Sequence, residues 1–490
     1  MKISKYHFAL LIVLYLIASI IRLSINFATE FIPGSNGAFY LANVRSILET
    51  GEILFKDFPL IFWIEALLAK IFIVSGITGF EKSIDLACRL FDSFVPTLSI
   101  IPAYFLIKRL TKKDENPNSI ILFTSLSILF ISFLLLVSDF QKNSLGLLWL
   151  FSLMLWVHKS LEEKKIINYI ISFIFVALTG ATHFGCFLVA ILYIILVLLI
   201  NNLVNRKIYF KTAATMVLLL ITAYIIIYAI SPPRLRTVID FIYNMFRNPV
   251  IILFFEGKPV LSPIDLASIF LINMTAVFAA IMYVKNYKTL SSANRVFILS
   301  ALILTFFLAL PFIGFEWSQR LSFISYIPAV SLMPFILDNI VSGKRKKNFM
   351  VTTIIVVLLS VFVRMSIPVY SNMNREQYSE LRELKEKLPK DGNVLMVARH
   401  GLEWWSSYIL RMPVIKEGAL EKIYWDRFKY MLFIIQKKDK APFGPIGIFG
   451  TPFREPRLPE QSNLILEGEY FDIYWAKFPP VDMSIFFETP

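Results

Sequence analysis

The stretch ATEFIPGSNGAFYLANVRSILETGEILFKDFPL, residues 28–60, is the first long polar segment of the chain and follows its first apolar run. Ser35 and Asn36 can begin a helix, because short polar side chains cap helix N-termini, and Gly51 can end it. Between them, apolar side chains fall at helical spacing on one face and polar ones on the other. We predict an amphipathic helix lying on the membrane surface, followed by an acidic turn at Asp57; an ordinary solvated loop is the alternative.

The composition of the chain is that of a membrane protein. Of its 490 residues, 57% are hydrophobic and only 17% are charged, and the mean hydropathy is +0.66. Soluble domains are about half apolar and about a quarter charged. Apolar runs of roughly twenty residues, enough to cross a bilayer, recur along the chain. The first run, residues 6–25, lacks a small-residue cleavage site, so we expect a retained span and not a signal peptide.

The net charge of +14 does not indicate a nucleic-acid partner. Most lysines and arginines of the apolar region cluster in short loops, such as residues 108–113 and 344–347, as orientation in a membrane requires. Cys88 and Cys186 lie beside or within apolar runs and imply no disulfide framework. The four histidines are scattered, which argues against a structural zinc site.

The basic clusters also set the orientation of the spans. With the amino terminus and these clusters inside, the run at 61–77 cannot cross the membrane, because residues 108–113 would then lie outside. We expect this run to stay embedded on the outer side and about eleven other runs to cross. The expected spans are 6–25, 87–107, 120–137, 145–157, 166–181, 187–200, 213–230, 266–284, 296–313, 324–340 and 349–363.

The end of the chain has the composition of a water-exposed domain. Residues 374–388 predict a charged helix, and residues 393–398 and 431–435 predict strands. We therefore expect a transmembrane domain at 1–369 and a small extracytoplasmic α/β domain at 370–490. The fold class is mainly α: a polytopic helical protein of the cell membrane with its amino terminus inside.

Ionisable residues at the outer ends of the spans are the candidates for chemistry, because charges at this depth are costly unless paired or hydrated. Asp57 and Asp139 could together hold a divalent cation, Mg²⁺ or Mn²⁺, or act as a general base. Cationic residues on the same side could bind a phosphate. Alternatively, each is an interfacial anchor or helix cap, with Asp139 paired to Lys142. The other candidates on this side are Lys142, His183, Arg234, Arg236, Glu316 and Arg320.

The chain resembles the GT-C superfamily of lipid-phosphosugar glycosyltransferases, which includes protein O-mannosyltransferases, aminoarabinose transferases and oligosaccharyltransferase catalytic subunits. The resemblance covers most of the chain as architecture and implies transfer of a sugar from a polyprenyl-phosphate carrier to a lipid, glycan or protein acceptor on the outer face. Its motifs are short and degenerate. They are Phe39-Tyr40 and Gly51 ahead of Asp57-Phe58-Pro59, residues 138–145, Thr182-His183-Phe184-Gly185, and Arg320.

The resemblance also implies roles for single residues. In the family, an acid in the first outer loop is a metal ligand or catalytic base, but its place here is occupied by Asn36. Asp57, or else Glu30, would have to take over this role, or transfer activity has been lost. The second-loop acid of the family matches Asp139, and its lipid-phosphate arginine matches Arg320. The first loop contributes further substrate-binding candidates, namely Asn36, Tyr40 and Arg45.

Two other functions stay open from the sequence. One is a transporter or flippase: Pro96 and Pro102 interrupt one span, but no paired, symmetric Gly/Pro-broken spans occur in the two halves of the chain. The other is a protein that holds a polyprenyl lipid without chemistry. Membrane lipid and a polyprenyl-phosphate-linked sugar are the expected partners, and the acceptor is open.

Overall fold

The computed structural model describes residues 3–111, 117–205, 210–230, 235–236, 239, 254–255, 258–259, 262–310, 315–388, 393–437, 455–477 and 479. The chain divides into two compact units. The helical unit comprises Met1–Leu23, Lys56–Ile61 and Leu90–Pro368. The mixed unit comprises Ser24–Phe55, Phe62–Arg89 and Val369–Pro490, so much of the first loop belongs to the same unit as the carboxy-terminal residues.

Most of the described chain is helical. Short 3-10 turns occur at Pro96–Ser99, Tyr287–Thr289 and Glu417–Ala419. The α-helices are Lys5–Asn26, Gly37–Thr50, Leu60–Val74, Phe80–Phe94, Ile100–Leu110, Pro117–Leu129, Ile131–Leu134, Gln141–Glu163, Ile166–Thr182, Phe184–Val204, Phe210–Ile230, Pro263–Asn286, Ser292–Leu308, Phe315–Asn339, Gly343–Ser366, Arg375–Lys387, Leu402–Leu410 and Ile423–Arg427.

Within the described residues, nine helical segments are long and apolar enough to cross a membrane. Two shorter apolar helices, Ile166–Thr182 and Ser292–Leu308, coincide with two further predicted spans. Each predicted span therefore overlaps an apolar helix, and the multi-pass helical architecture is confirmed. The nine segments are Lys5–Asn26, Phe80–Leu110, Pro117–Leu134, Gln141–Glu163, Phe184–Val204, Thr212–Ile230, Pro263–Thr289, Arg320–Asn339 and Gly343–Ser366.

The run predicted to stay on the outer side forms the helix Leu60–Val74, which has 15 residues. At 1.5 Å per residue this helix is about 22 Å long. The hydrocarbon core of a bilayer is about 30 Å thick, so the helix is short for a crossing. Its length agrees with an embedded segment. The orientation of the segments that follow it in the chain can be tested directly.

A cysteine placed at Lys82 is expected to react with a membrane-impermeant thiol reagent added outside. One placed at Thr111, next to the basic cluster that sets the orientation, is expected to react only after permeabilisation. The native Cys88 and Cys186 are both buried, which keeps the background low. The measurement is the fraction labelled in intact and permeabilised cells. Labelling of Thr111→Cys from outside would contradict the orientation.

The first-loop helix begins and ends where its sequence predicts. It spans Gly37–Thr50, with Asn36 at the N-cap and Gly51 in the left-handed conformation at the C-cap, φ +78°. The alternative of a solvated loop is wrong, and much of the predicted polar face is buried: Asn43 is 0% exposed and Arg45 4%. The helix packs against Leu402–Leu410 of the same unit, and its exposed residues lie in its last turn, at Glu49 and Thr50.

The carboxy-terminal residues build a five-stranded sheet that confirms the predicted strands. Separately, the two-residue strands β1 (Phe254–Phe255) and β2 (Lys258–Pro259) pair antiparallel. The order of the large sheet is β4-β3-β5-β7-β6; β3 runs parallel to β4 and β5, and the other pairings are antiparallel. Its strands are β3 (Val394–Ala398), β4 (Val414–Lys416), β5 (Tyr430–Gln436), β6 (Ser462–Glu467) and β7 (Phe471–Ala476).

Candidate functional site

Four of the residues singled out from the sequence line one pocket in the helical unit: Asp57, Lys142, His183 and Arg320. They come from segments far apart in the chain, which the packing of the helices brings together. Asp57 lies in the turn before Leu60–Val74, Lys142 in the first turn of Gln141–Glu163, and His183 at the N-cap of Phe184–Val204. Arg320 lies in the helix Phe315–Asn339. The rest of the lining is Asn143, Phe184, Gly185, Leu321 and Ile324.

The centre of the pocket is an ion pair between the Lys142 ammonium and Oδ2 of Asp57. Each side chain is 11% exposed, so the pair is largely withdrawn from solvent. Oδ1 of Asp57 accepts a hydrogen bond from the backbone N–H of Phe58 at 2.8 Å. Both carboxylate oxygens are therefore engaged, one by the local backbone and one by a cation from another segment.

His183 is oriented by the helix that it begins. Its Nδ1 accepts a hydrogen bond from the backbone N–H of Cys186 at 3.2 Å. A neutral imidazole that accepts at Nδ1 carries its proton on Nε2, so the ring is a hydrogen-bond donor at its other nitrogen. Gly185 is needed beside it, because a Cβ there would lie 3.0 Å from Cε1 of His183. The pocket thus combines one carboxylate with three donor side chains, those of Lys142, His183 and Arg320.

Asp139 is buried, at 4% exposure, but it does not line this pocket. Its backbone N–H bonds to the carbonyl oxygen of Val137 at 2.8 Å, directly after Ser138, which has φ +68°. The loop that carries Asp139 leads into the pocket residue Lys142. Asp139 is therefore close to the pocket residue Lys142 in the sequence, but it does not line the pocket.

A divalent cation held by Asp57 and Asp139 stays a prediction. No group of three or more His, Cys, Asp or Glu side chains in the described residues could hold a metal ion. The pocket offers a single carboxylate, which already carries Lys142, whereas Mg²⁺ and Mn²⁺ favour several oxygen ligands. The pocket residues, as arranged, do not fit a divalent cation, and the chemistry derived below uses none.

The first-loop candidates belong to the mixed unit. Asn36 is the N-cap of its helix, and Tyr40 is 2% exposed with its ring edge-on to Phe39 at 5.6 Å between centroids. Arg234 lies outside the described residues, as does the side chain of Glu316. Arg236 is exposed and does not line the pocket.

Arg45 is committed to contacts within the mixed unit. Its guanidinium donates to the backbone carbonyl of Tyr408 and, at 2.6 Å, to Oε1 of Glu81. The Tyr378 hydroxyl donates to the other oxygen of Glu81 at 3.1 Å. Burial and the negative charge of Glu81 raise the pKa of Tyr378 to about 12, so this hydroxyl stays a donor at neutral pH. This network accounts for the burial of Arg45 without a substrate.

The cavity between the pocket side chains has a volume of about 30 Å³, enough for about two water molecules. A larger cavity of about 300 Å³ lies elsewhere in the helical unit, bounded by Tyr326, Met333 and Phe349 among other side chains. No charged residue lines this larger cavity, so it offers neither a carboxylate base nor a cation to bind a phosphate. The small polar pocket is the candidate site.

Sequence reasoning missed two buried charges, Arg22 and Asp92, which form an ion pair in the helical unit. Each lies in or next to an apolar run, where an ionisable side chain is costly and marks a functional or structural role. The cost of placing a charge in an apolar run could have identified both residues from the sequence. The sequence could not show that they pair with each other, because they are 70 positions apart.

No family model matches the sequence, and no curated protein matches it. Among solved structures, the chain is similar to the archaeal oligosaccharyltransferase AglB from Archaeoglobus fulgidus, in complex with an inhibitory peptide and a dolichol-phosphate. The TM-score is 0.57 at 11% identity, and the match covers 88% of this chain and 70% of AglB. A second match, to ArnT from Cupriavidus metallidurans bound to undecaprenyl phosphate, has a TM-score of 0.39 at 9% identity and covers 98% of this chain and 100% of ArnT.

The likeness to AglB covers both the apolar helices and the carboxy-terminal residues, since it extends over most of the chain. At this level of identity the likeness concerns the fold. The resemblance noted in the sequence is thereby confirmed in its architecture: the chain shares its fold with AglB over most of its length.

Proposed function

We propose that the protein is an integral-membrane glycosyltransferase that takes a sugar from a polyprenyl-phosphate carrier and transfers it to a lipid, glycan or protein acceptor on the outer face. The observation that carries this proposal is the convergence of Asp57, Lys142, His183 and Arg320 on one pocket within a GT-C fold. The dolichol-phosphate bound by AglB supports a polyprenyl phosphate as the carrier.

In this proposal the cationic side chains hold the phosphate of the donor. The Arg320 guanidinium can donate two parallel hydrogen bonds to phosphate oxygens, and the Lys142 ammonium adds a point charge. Nε2–H of His183 is a third donor toward the same group. As the bond between sugar and phosphate breaks, negative charge grows on the phosphate, and fixed donors that favour this charge lower the barrier.

Asp57 serves as the general base. It takes the proton from the acceptor hydroxyl or amide as the new bond to the sugar forms, and the polyprenyl phosphate leaves with the electron pair of the broken bond. In the described arrangement Lys142 neutralises Asp57. We propose that the donor phosphate draws the ammonium of Lys142 away, which frees the carboxylate to act as a base.

The small size of the pocket supports such a movement. A cavity of about 30 Å³ has room for about two waters and not for a sugar phosphate. Displacement of the Lys142 side chain from Asp57 would widen the space between the segments that carry them. Side-chain rearrangement on binding is common even where the backbone stays in place.

The remaining parts of the proposal concern placement in the membrane. We propose that residues 1–369 form the transmembrane domain and that residues 370–490 lie outside the cell membrane. The carrier's tail then stays in the lipid, and its anionic head reaches the arginine and lysine at the interface.

We expect the purified protein, in vesicles with a labelled polyprenyl-phosphosugar, to release label from the lipid onto an added acceptor extract without accumulating it inside the vesicles. The measurement is the label in lipid, acceptor and vesicle lumen over time, with protein-free vesicles as control. Accumulation in the lumen without release from the carrier would favour a transporter or flippase. Saturable binding of the carrier without either would favour a non-catalytic lipid-binding protein.

A further inference from the structure

We propose that Arg22, Asp92 and Arg364 are positioning residues, which together clamp the loop at 135–140. This loop carries Asp139 and leads into Lys142, so its placement sets the geometry of the candidate site. The inference rests on the proposed function for its effect on catalysis. Its structural part, the immobilisation of the loop, stands on contacts of the helical unit alone.

The core of the clamp is a fully buried ion pair. Nη2 of Arg22 lies 2.6 Å from Oδ1 of Asp92, and both side chains are 0% exposed. Nε of Arg22 also donates to the backbone carbonyl of Asp92 at 2.8 Å, and its guanidinium lies 4.7 Å from the centroid of the Phe133 ring. These three directed contacts hold the guanidinium in a single orientation.

The clamp holds the start of the loop through two carbonyl groups. The short helix Ile131–Leu134 ends just before the loop, and the last carbonyls of a helix have no partner within it. Nη1 of Arg22 donates to the carbonyl oxygen of Phe133 at 3.3 Å, and Nε of Arg364 donates to that of Leu134 at 3.1 Å. Two arginines from different helices thus satisfy consecutive carbonyls at this point.

The clamp also holds the middle and the end of the loop. Oδ2 of Asp92 accepts the backbone N–H of Ser138 at 2.8 Å. Ser138 has φ +68°, a left-handed conformation that a non-glycine residue keeps only where its surroundings impose it. Beyond the loop, Nη2 of Arg22 donates to Oγ of Ser144 at 3.1 Å, two residues after Lys142. Asp92 thereby fixes the residue before Asp139, and Arg22 fixes the helical turn of Lys142.

A role in stability alone explains these contacts less well. A buried ion pair is costly to desolvate, and apolar side chains of similar volume often stabilise a core equally well or better. Apolar side chains could not bind the carbonyls and the N–H of an irregular loop. The polar groups of the clamp therefore match the requirement of holding this backbone in one conformation.

The test compares three variants by amide hydrogen exchange and by transfer kinetics. Asp92→Asn keeps the shape of the side chain but removes its charge, and Ser144→Ala removes one contact of Arg22 while the ion pair remains. Arg109→Gln is the matched control, because Arg109 pairs with Glu162 and Glu163 at the other end of the helix Gln141–Glu163. Thermal unfolding of each variant reports its stability.

We expect exchange across residues 135–144 to become about tenfold faster or more in Asp92→Asn and several-fold faster in Ser144→Ala, and to be unchanged in Arg109→Gln. Misplacement of a catalytic group by about 1 Å can lower a rate about a hundredfold. We therefore expect kcat to fall most in Asp92→Asn, less in Ser144→Ala, and not at all in Arg109→Gln. The inference is overturned if exchange and kcat in the first two variants match the control at equal or lower stability. Absence of transfer by the unaltered protein would defeat the proposed function, while the exchange measurement would still decide the clamp.

Discussion

Replacement of Asp57 by asparagine is expected to lower kcat for sugar transfer by about two orders of magnitude or more, the usual scale for the loss of a positioned general base. Asparagine keeps the shape of the side chain and can still accept the hydrogen bond from Phe58, so the turn should stay in place. KM for the donor should not rise, because in the proposed site the phosphate is bound by other side chains and Lys142 no longer has to leave a charged partner. The measurement is the initial transfer rate at varied donor concentration.

Lys142→Met is the matched variant, since it removes the other half of the same ion pair. We expect it to raise KM for the donor far more than Asp57→Asn does, because it removes a phosphate ligand and leaves the carboxylate able to act. If the two residues served only as a buried pair, loss of either one would have the same effect on kcat and on KM. Equal effects of the two variants would therefore remove Asp57 from its role as base.

Arg320→Lys is expected to weaken the binding of a polyprenyl phosphate by about 1–3 kcal/mol, the scale of a charged hydrogen bond, which corresponds to roughly five- to 150-fold in Kd. Lysine keeps the positive charge but cannot supply the two parallel hydrogen bonds of a guanidinium. High salt should not erase the difference, because a partly buried contact is screened less than one at the surface. The measurement is the Kd for polyprenyl phosphate at low and high salt.

Two further variants make this prediction specific. Arg295→Lys changes an arginine whose guanidinium bonds to the backbone carbonyl of Leu290, away from the pocket, and should leave donor affinity unchanged. Glu316→Gln tests the competing account, in which Arg320 forms only a surface salt bridge worth about 0–1 kcal/mol. Small, equal losses for Glu316→Gln and Arg320→Lys would contradict the phosphate-binding role.

The apolar helices could be predicted from the sequence because each one is a local property of the chain. A run of apolar residues that must satisfy its backbone in lipid has one solution, a helix, whatever its neighbours are. The bounds of the first-loop helix were equally local, since Gly51 can stop a helix by itself. The burial of its polar face was not local. It depends on Leu402–Leu410, a helix that lies more than 350 residues away in the sequence.

In the candidate site, too, some features could be predicted locally from the sequence and others depended on packing. The count of membrane crossings in the sequence predicted one side of the membrane for Asp57, Lys142, His183 and Arg320. The structure brings these four residues to one pocket. The count of crossings gives a side but no distance, so it grouped Arg236 with them equally well, although Arg236 is exposed and does not line the pocket.

The choice between the two acids depended on packing. Asp139 was the more prominent in the sequence, but Lys142 extends to Asp57 instead, and the pocket wall contains only the latter acid. A spacing of three residues between Asp139 and Lys142 suggested a local pair. A side chain from another segment could be recognised as the partner only once the helices were placed.

The lysine that covers Asp57 has a consequence for selectivity between acceptor and solvent. Water can compete with the acceptor for the sugar of the donor. A general base in an open pocket would activate a water molecule as readily as an acceptor hydroxyl. Here the pocket has room for about two waters, and its carboxylate is neutralised by Lys142. If the donor phosphate draws Lys142 away from Asp57, the carboxylate becomes a base only when the donor is bound. Without a bound donor, the proposed site would then activate no water.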